Sequence, residues 1–177
     1  MNGFAPDLEA HHSERNVAPP IWVGVGNTGP MNELESIQAA ATALSPWAHI
    51  ATVGADGRPD VVPVHPAWEG DTLWFMAAGD SVKVRNIAHH ADVAMHWQVS
   101  EAGDGVEVWG TATVHQDLAT KRRLWTGVFD YDLYLFSPGG PEDSPNTVFV
   151  GIQLDRAISM KAYGLGGRVA WRSSTED

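Results

Sequence analysis

Two tight turn signals cut residues 48–77 into three short β-prone runs, and this spacing constrains the fold more than any other feature of the chain. Ala48–Val53 and Asp60–His65 flank Ala55-Asp56-Gly57-Arg58. An Asp-Gly pair between Val-rich runs is a strong local hairpin signal. Glu69-Gly70-Asp71 then turns the chain into Thr72–Ala77, where Leu73 and Phe75 alternate with Thr72, Trp74 and Met76. Connections this short join antiparallel neighbours, because a parallel pair needs a crossover of a dozen residues or more.

The rest of the chain extends that pattern. Asn32 is placed to cap a helix in which Leu34, Ile37, Ala41 and Leu44 recur at helical spacing until Pro46. A short helix is predicted from Ser81 to about His89, a strand over Val93–Val99 and a long strand over Val106–His115. Asp117 caps a third helix running through Leu124 and Trp125 to about Phe129, and Ser137–Asn146 is rich in turn residues. Two last strands, Thr147–Leu154 and Ala157–Tyr163, precede a tail ending near Arg172. About seven strands and three helices, without alternation of the two, predict a mainly β fold. The expected form is a split barrel, a small Greek-key antiparallel barrel with the helices packed outside.

That domain is expected over residues 31–177. Residues 1–30 carry Pro6, Pro19, Pro20 and Pro30 with Gly24, Gly26 and Gly29, and read as a flexible arm in which His11 and His12 are surface residues. Met31 opens the better-patterned segment and is an alternative start.

Composition narrows the chemistry. With no cysteine, thiolate nucleophiles, disulfide scaffolds and cysteine-ligated metal clusters are excluded, so redox work would need a bound cofactor. A net charge of −11 repels nucleic acid and anionic lipid. The densest basic run, Lys121-Arg122-Arg123, reads as a solvated helix face. No apolar run approaches the ~20 residues a membrane helix needs. The first ten residues lack the pattern of a secretory signal, and a cytoplasmic protein is expected.

The segment carrying most chemical information is Thr72-Leu-Trp-Phe-Met-Ala-Ala-Gly-Asp-Ser81-Val-Lys83. A strand ends in small residues, turns at Gly79 and enters a helix whose first turn offers Ser81, Lys83 and free backbone N–H groups, a combination suited to a phosphate-sized anion. A capped surface helix with a solvated lysine explains the same residues. His49, His65, His96 and His115 fall on predicted strands, but no metal-ligand spacing joins them, and no metal is expected. Glu107 and His96 could face inward, yet neither identifies itself as an acid or base, and the catalytic residues stay unassigned. Of the eight tryptophans, Trp109 in the long strand is the candidate for a ligand pocket.

The run IATVGADGRPDVVPVHPAWEGDTLWFMAAGDSVKVRNIAHHADVAM resembles the core of the pyridoxamine 5'-phosphate oxidase-like FMN-binding split-barrel proteins. The resemblance continues through VEVWGTATVHQD, KRRLW and VFVGIQLDRAISMKAY, covers about Ala48 to Tyr163, and is greatest to the general stress protein branch. It implies FMN, with His65 and Pro66 beside the flavin ring, Met76 and Ala77 along the ribityl chain, and Ser81 and Lys83 at the phosphate. Asn86 is then a structural helix residue. Val82 stands where true pyridoxamine phosphate oxidases have Arg, and their further basic substrate residues have no counterpart. The resemblance thus implies an FMN-dependent oxidoreductase of unknown substrate, with a deazaflavin coenzyme or a non-enzymatic flavin-storage module as alternatives. It also implies a homodimer that completes the flavin groove, and an electron donor such as NADH or NADPH.

Overall fold

A computed structural model describes residues 31–174. The predicted arm, residues 1–30, lies outside them. Helix α1 (Glu33–Leu44) starts as the sequence suggests: Asn32 Oδ1 accepts from the Glu35 N–H at 2.9 Å, and Glu35 Oε2 accepts from the Asn32 N–H at 3.0 Å. This reciprocal pairing satisfies two donors that a helix start leaves free. Leu34, Ile37 and Ala41 are the face it buries.

Strands β1 (Ala48–Val53) and β2 (Pro59–Val64) form the first hairpin, with Gly57 at φ +80 supplying the left-handed turn residue. A short strand that the sequence did not suggest, β3 (Ala67–Glu69), follows Pro66 and pairs with β4 (Thr72–Ala78) across Gly70. Helix α2 (Val82–His89), strands β5 (Asp92–Trp97) and β6 (Gly105–His115), and helix α3 (Leu118–Trp125) come next. Asp117 caps α3 through the Thr120 N–H, and that bond holds its carboxyl below the usual carboxylate range.

The two predicted final strands are one, β7 (Thr147–Met160), and the tail returns as β8 (Arg168–Arg172) beside it. Asp155 does not break the strand because it is the extra residue of a bulge: Trp109 pairs with Arg156 and Gly110 with Leu154. Gly110 permits this, since a Cβ there would stand 2.2 Å from the Gln153 carbonyl oxygen.

All eight strands join one antiparallel sheet in the order β2-β1-β5-β6-β7-β4-β3, with β8 on β7, and the sheet curls into the split half-barrel expected from the sequence. Ile50, Phe75, Trp97, Val106 and Ile152 of the sheet form the main core together with Ile37 of α1 and Ile87 of α2. Each such side chain contributes about 1.5–3 kcal/mol through burial. A smaller cluster of Trp74, Leu124, Trp125, Leu133 and Phe149 packs α3 and the segment after it against β4 and β7. Strand β4 is therefore covered on both faces, and Leu73, Trp74 and Phe75 are all buried in succession. In the basic run, Arg122 and Arg123 are exposed as expected, but Lys121 is buried and donates to the Ser144 carbonyl at 3.1 Å. Its ammonium ties α3 to the 137–146 segment rather than facing water. Among the described residues no helix is long and apolar enough to cross a membrane.

Candidate functional site

The turn from β4 into α2 is fastened to the start of β7. The Gly79 N–H donates to the Asn146 carbonyl at 2.7 Å, and Asn146 Nδ2 donates to Asp80 Oδ1 at 3.0 Å. Arg85 adds a bond from its guanidinium to the Asp80 carbonyl. A Cβ at position 79 would stand 3.2 Å from both Asn146 Oδ1 and Val148 Cγ1, so glycine fits the turn tightly against its anchor.

At the head of α2, Ser81 has N-cap geometry, but its side chain makes no capping bond. Its Oγ is buried and without a hydrogen-bond partner. Leaving such a group unpaired costs about 1–3 kcal/mol, which is the usual sign that an acceptor or donor belongs there. The N–H groups of the first helical turn also lack intrahelical acceptors, and the helix dipole makes this end favourable to negative charge. Lys83 on the same turn lines an adjoining cavity of about 440 Å³. The ammonium and the free amides thus belong to one helix turn beside the cavity, with the Ser81 hydroxyl buried at its start, and this donor set fits a phosphate.

Away from that point the cavity runs past Pro63, Val64 and His65 of the first hairpin and past Met76, Ala77 and Ala78 of β4. Trp47, Tyr131 and Phe136 wall its far side. There the imidazole of His65 stacks on Tyr131, with ring centroids 4.1 Å apart, and meets Trp47 at 5.0 Å. His65 Nε2 lies 3.2 Å from Asp130 Oδ1, and the Tyr131 hydroxyl donates to the His65 carbonyl at 3.3 Å. Burial, with the Asp130 carboxylate adding to it, pushes the Tyr131 phenol up to about 12, so this hydroxyl remains a donor throughout the neutral range.

Of the sequence-predicted residues, His65, Met76, Ala77 and Lys83 line this one cavity, and Ser81 stands at the helix start beside it. Pro66 lines a neighbouring cavity of about 310 Å³, and His65 belongs to the walls of both. Trp109 is elsewhere, in a groove of about 380 Å³ over β1, β2, β5 and β6, where the Arg156 guanidinium lies 4.0 Å from its ring centroid. His96 and Glu107 pair across β5 and β6 in that same groove. Asn86 is buried and donates to Thr52 Oγ1 at 3.0 Å, binding α2 to β1 as a structural residue.

Trp47, Asp130, Tyr131, Phe136 and Asn146 escaped the sequence reading. All sit in connecting segments whose path is fixed only by tertiary packing. The signal available was the density of aromatic residues between Phe129 and Phe136, unusual for an irregular stretch.

Residues 37–160 match the family model described as Pyridoxamine 5'-phosphate oxidase. No curated protein sequence matches the chain. Among solved structures, a protein related to general stress protein 26 from Clostridium acetobutylicum superposes with a TM-score of 0.64 at 16% identity, over 80% of this chain and 96% of that one. A pyridoxamine 5'-phosphate oxidase-related, FMN binding protein from Nostoc punctiforme gives 0.56 at 14% identity, over 81% and 91%. A heme binding protein from Mycobacterium smegmatis gives 0.61 at 16% identity, over 81% of this chain and 59% of that one. At these identities the likeness is one of fold.

Proposed function

This chain belongs to the pyridoxamine 5'-phosphate oxidase family, and from that premise we propose that it binds FMN in the 440 Å³ cavity and acts as an FMN-dependent oxidoreductase on a small molecule. The observation that carries the reading is the unpartnered, buried Ser81 Oγ at the head of α2, with Lys83 beside it. A flavin-type cofactor is also consistent with the FMN binding relative of the same fold. Ser81, Lys83 and the first-turn amides of α2 hold the phosphate. Met76 and Ala77 pass along the ribityl chain, while His65, Trp47 and Tyr131 shield the ring end from water. FMN, when bound, supplies hydride or electron transfer, and the protein supplies position and electrostatics.

A cytoplasmic homodimer is part of the proposal. The groove over β1, β2, β5 and β6 exposes Val61 beside Ala51 and Ala94, a surface suited to a second copy. Light scattering on the full chain should give a mass near twice 19.1 kDa.

Titration of the cofactor-free protein with FMN, followed by flavin fluorescence, tests the site. A hydrogen bond to a charged group is worth about 1.5–3 kcal/mol, so Lys83→Ala should weaken binding by about one to two orders of magnitude with the fold intact. Unchanged affinity would remove this site from the proposal. Native mass spectrometry of the purified protein separates FMN from a deazaflavin coenzyme. Bleaching of the flavin bands by NADH or NADPH separates an oxidoreductase from a storage module.

A further inference from the structure

We propose that the second cavity, behind His65, is a binding site for a small organic cation of about one ring. The cavity is separate from the proposed phosphate site, and its volume of about 310 Å³ is at the small end of the range for ligand pockets. Four features of its wall favour positive charge. The Asp130 carboxylate, with its side chain 75% exposed, stands at the mouth, and only one of its oxygens is taken by His65. Thr42, Ser45 and Pro46 bring in the C-terminal end of α1, whose last turn holds no basic residue to answer the negative end of the helix dipole. Trp68 lines the cavity, backed by the nearly parallel ring of buried Trp97 at 5.6 Å, and an indole face attracts cations. No Lys or Arg lies in the wall. The net charge of −11 draws cations toward the molecule as a whole.

An anion meets the opposite of each feature here. A neutral ring meets only the apolar part of the wall, from Pro66, Ala67 and Val128. The ligand class is thus an amine or quaternary ammonium carried on, or close to, a flat apolar group.

The test uses the full chain without cofactor and follows the indole N–H signals of Trp68 and Trp97 by NMR, so its outcome does not depend on whether FMN binds. Three probes of one shape are compared: benzylamine as its ammonium, benzyl alcohol and benzoate. Benzylamine should shift both indole signals and bind about tenfold more tightly than benzyl alcohol, with benzoate causing no shift. Asp130→Asn should weaken benzylamine about threefold to fivefold, as expected for a solvent-exposed charge. Thr42→Lys, at an exposed position on α1, should abolish binding by placing a cation at the mouth. Equal affinity for the amine and the alcohol, a benzoate-induced shift, benzylamine binding untouched by both substitutions, or no indole shift with benzylamine would each overturn the proposal.

Discussion

The two cavities that meet at His65 draw on the same connecting segment, Tyr131 and Phe136 lining one and Val128 and Asp130 the other, yet they present opposite charged groups. The larger one ends at the start of α2, with the Ser81 hydroxyl and the Lys83 ammonium beside it. The smaller one ends where α1 finishes, with the Asp130 carboxylate at its mouth and His65, but no lysine or arginine, in its wall. An imidazole only 17% exposed separates them. The sheet supplies walls to both cavities, and on the proposed reading the helix end each one meets sets the charge it would accept. A superfamily fold can therefore hold unrelated ligands without altering its barrel, and function has to be read from the ends of α1 and α2 rather than from the strands.

Reversing one charge is the strongest way to break that contrast. Lys83→Glu should lower FMN affinity by two orders of magnitude or more, because a favourable charge-assisted contact becomes a repulsive one. Riboflavin, which lacks the phosphate, should bind the variant about as well as it binds the native protein. Parallel titrations with the two ligands check this, and an equal loss for both would mean that Lys83 acts through the shape of the cavity and not through the anion.

The halves of this contrast were unequally legible in the sequence. Ser81 and Lys83 lie two residues apart on one turn, so a local pattern of strand, glycine and helix start is enough to bring them together. The first hairpin is legible for the same reason, since Gly57 marks its positive-φ turn directly; Gly70 marks the second turn, but that turn joins β4 to β3 and not to β2, which lies at the opposite end of the strand order. His65 and Asp130, by contrast, are 65 positions apart and meet only because α3 and the following segment dock on β4 and β7. Nothing local in Phe129-Asp130-Tyr131 records that docking. Strand β7 looks like two strands in the sequence for a related reason: the polar Asp155-Arg156 pair resembles a turn, whereas the bulge opposite Gly110 absorbs it within the ladder. Lys121 looked solvated because its carbonyl partner, Ser144, lies in another segment.

Ser81→Ala sharpens the comparison at smaller scale, because the ordinary cap and the ligand site predict opposite signs. A capping serine costs about 0.5–2 kcal/mol when removed. Here the hydroxyl caps nothing and has no partner, so its removal should leave the melting temperature of the cofactor-free protein unchanged or slightly raised. FMN affinity should still fall about fivefold, the equivalent of one net hydrogen bond of about 1 kcal/mol. A drop in stability without ligand, together with unchanged affinity, would return Ser81 to the role of a plain cap.

The smallest effect concerns the partition between the cavities. Tyr131 stacks on His65 and donates to its carbonyl, while burial and the neighbouring Asp130 charge hold the phenol at about 12 against an ordinary 10.0. The folded segment thus favours the protonated phenol. Its contribution is complete below pH 10 and is lost as the pH rises through about 12, since the unfolded segment releases its proton first. Deprotonation also turns the donor into an acceptor facing a carbonyl, which removes the bond. Raising the pH from 10 to 12 should therefore loosen the Val128–Phe136 segment before the barrel unfolds. Tyrosinate absorbance should show one phenol titrating late, together with a change in Trp47 emission. At neutral pH, Tyr131→Phe keeps the stack and loses only a 3.3 Å bond, so it should cost less than about 1 kcal/mol and change FMN affinity by less than about threefold. It should also abolish the late titration. If every tyrosine in the native protein titrated near 10, the Tyr131 ring would be more open to water than this geometry allows. His65 would then be a movable wall, and the two cavities would join into one.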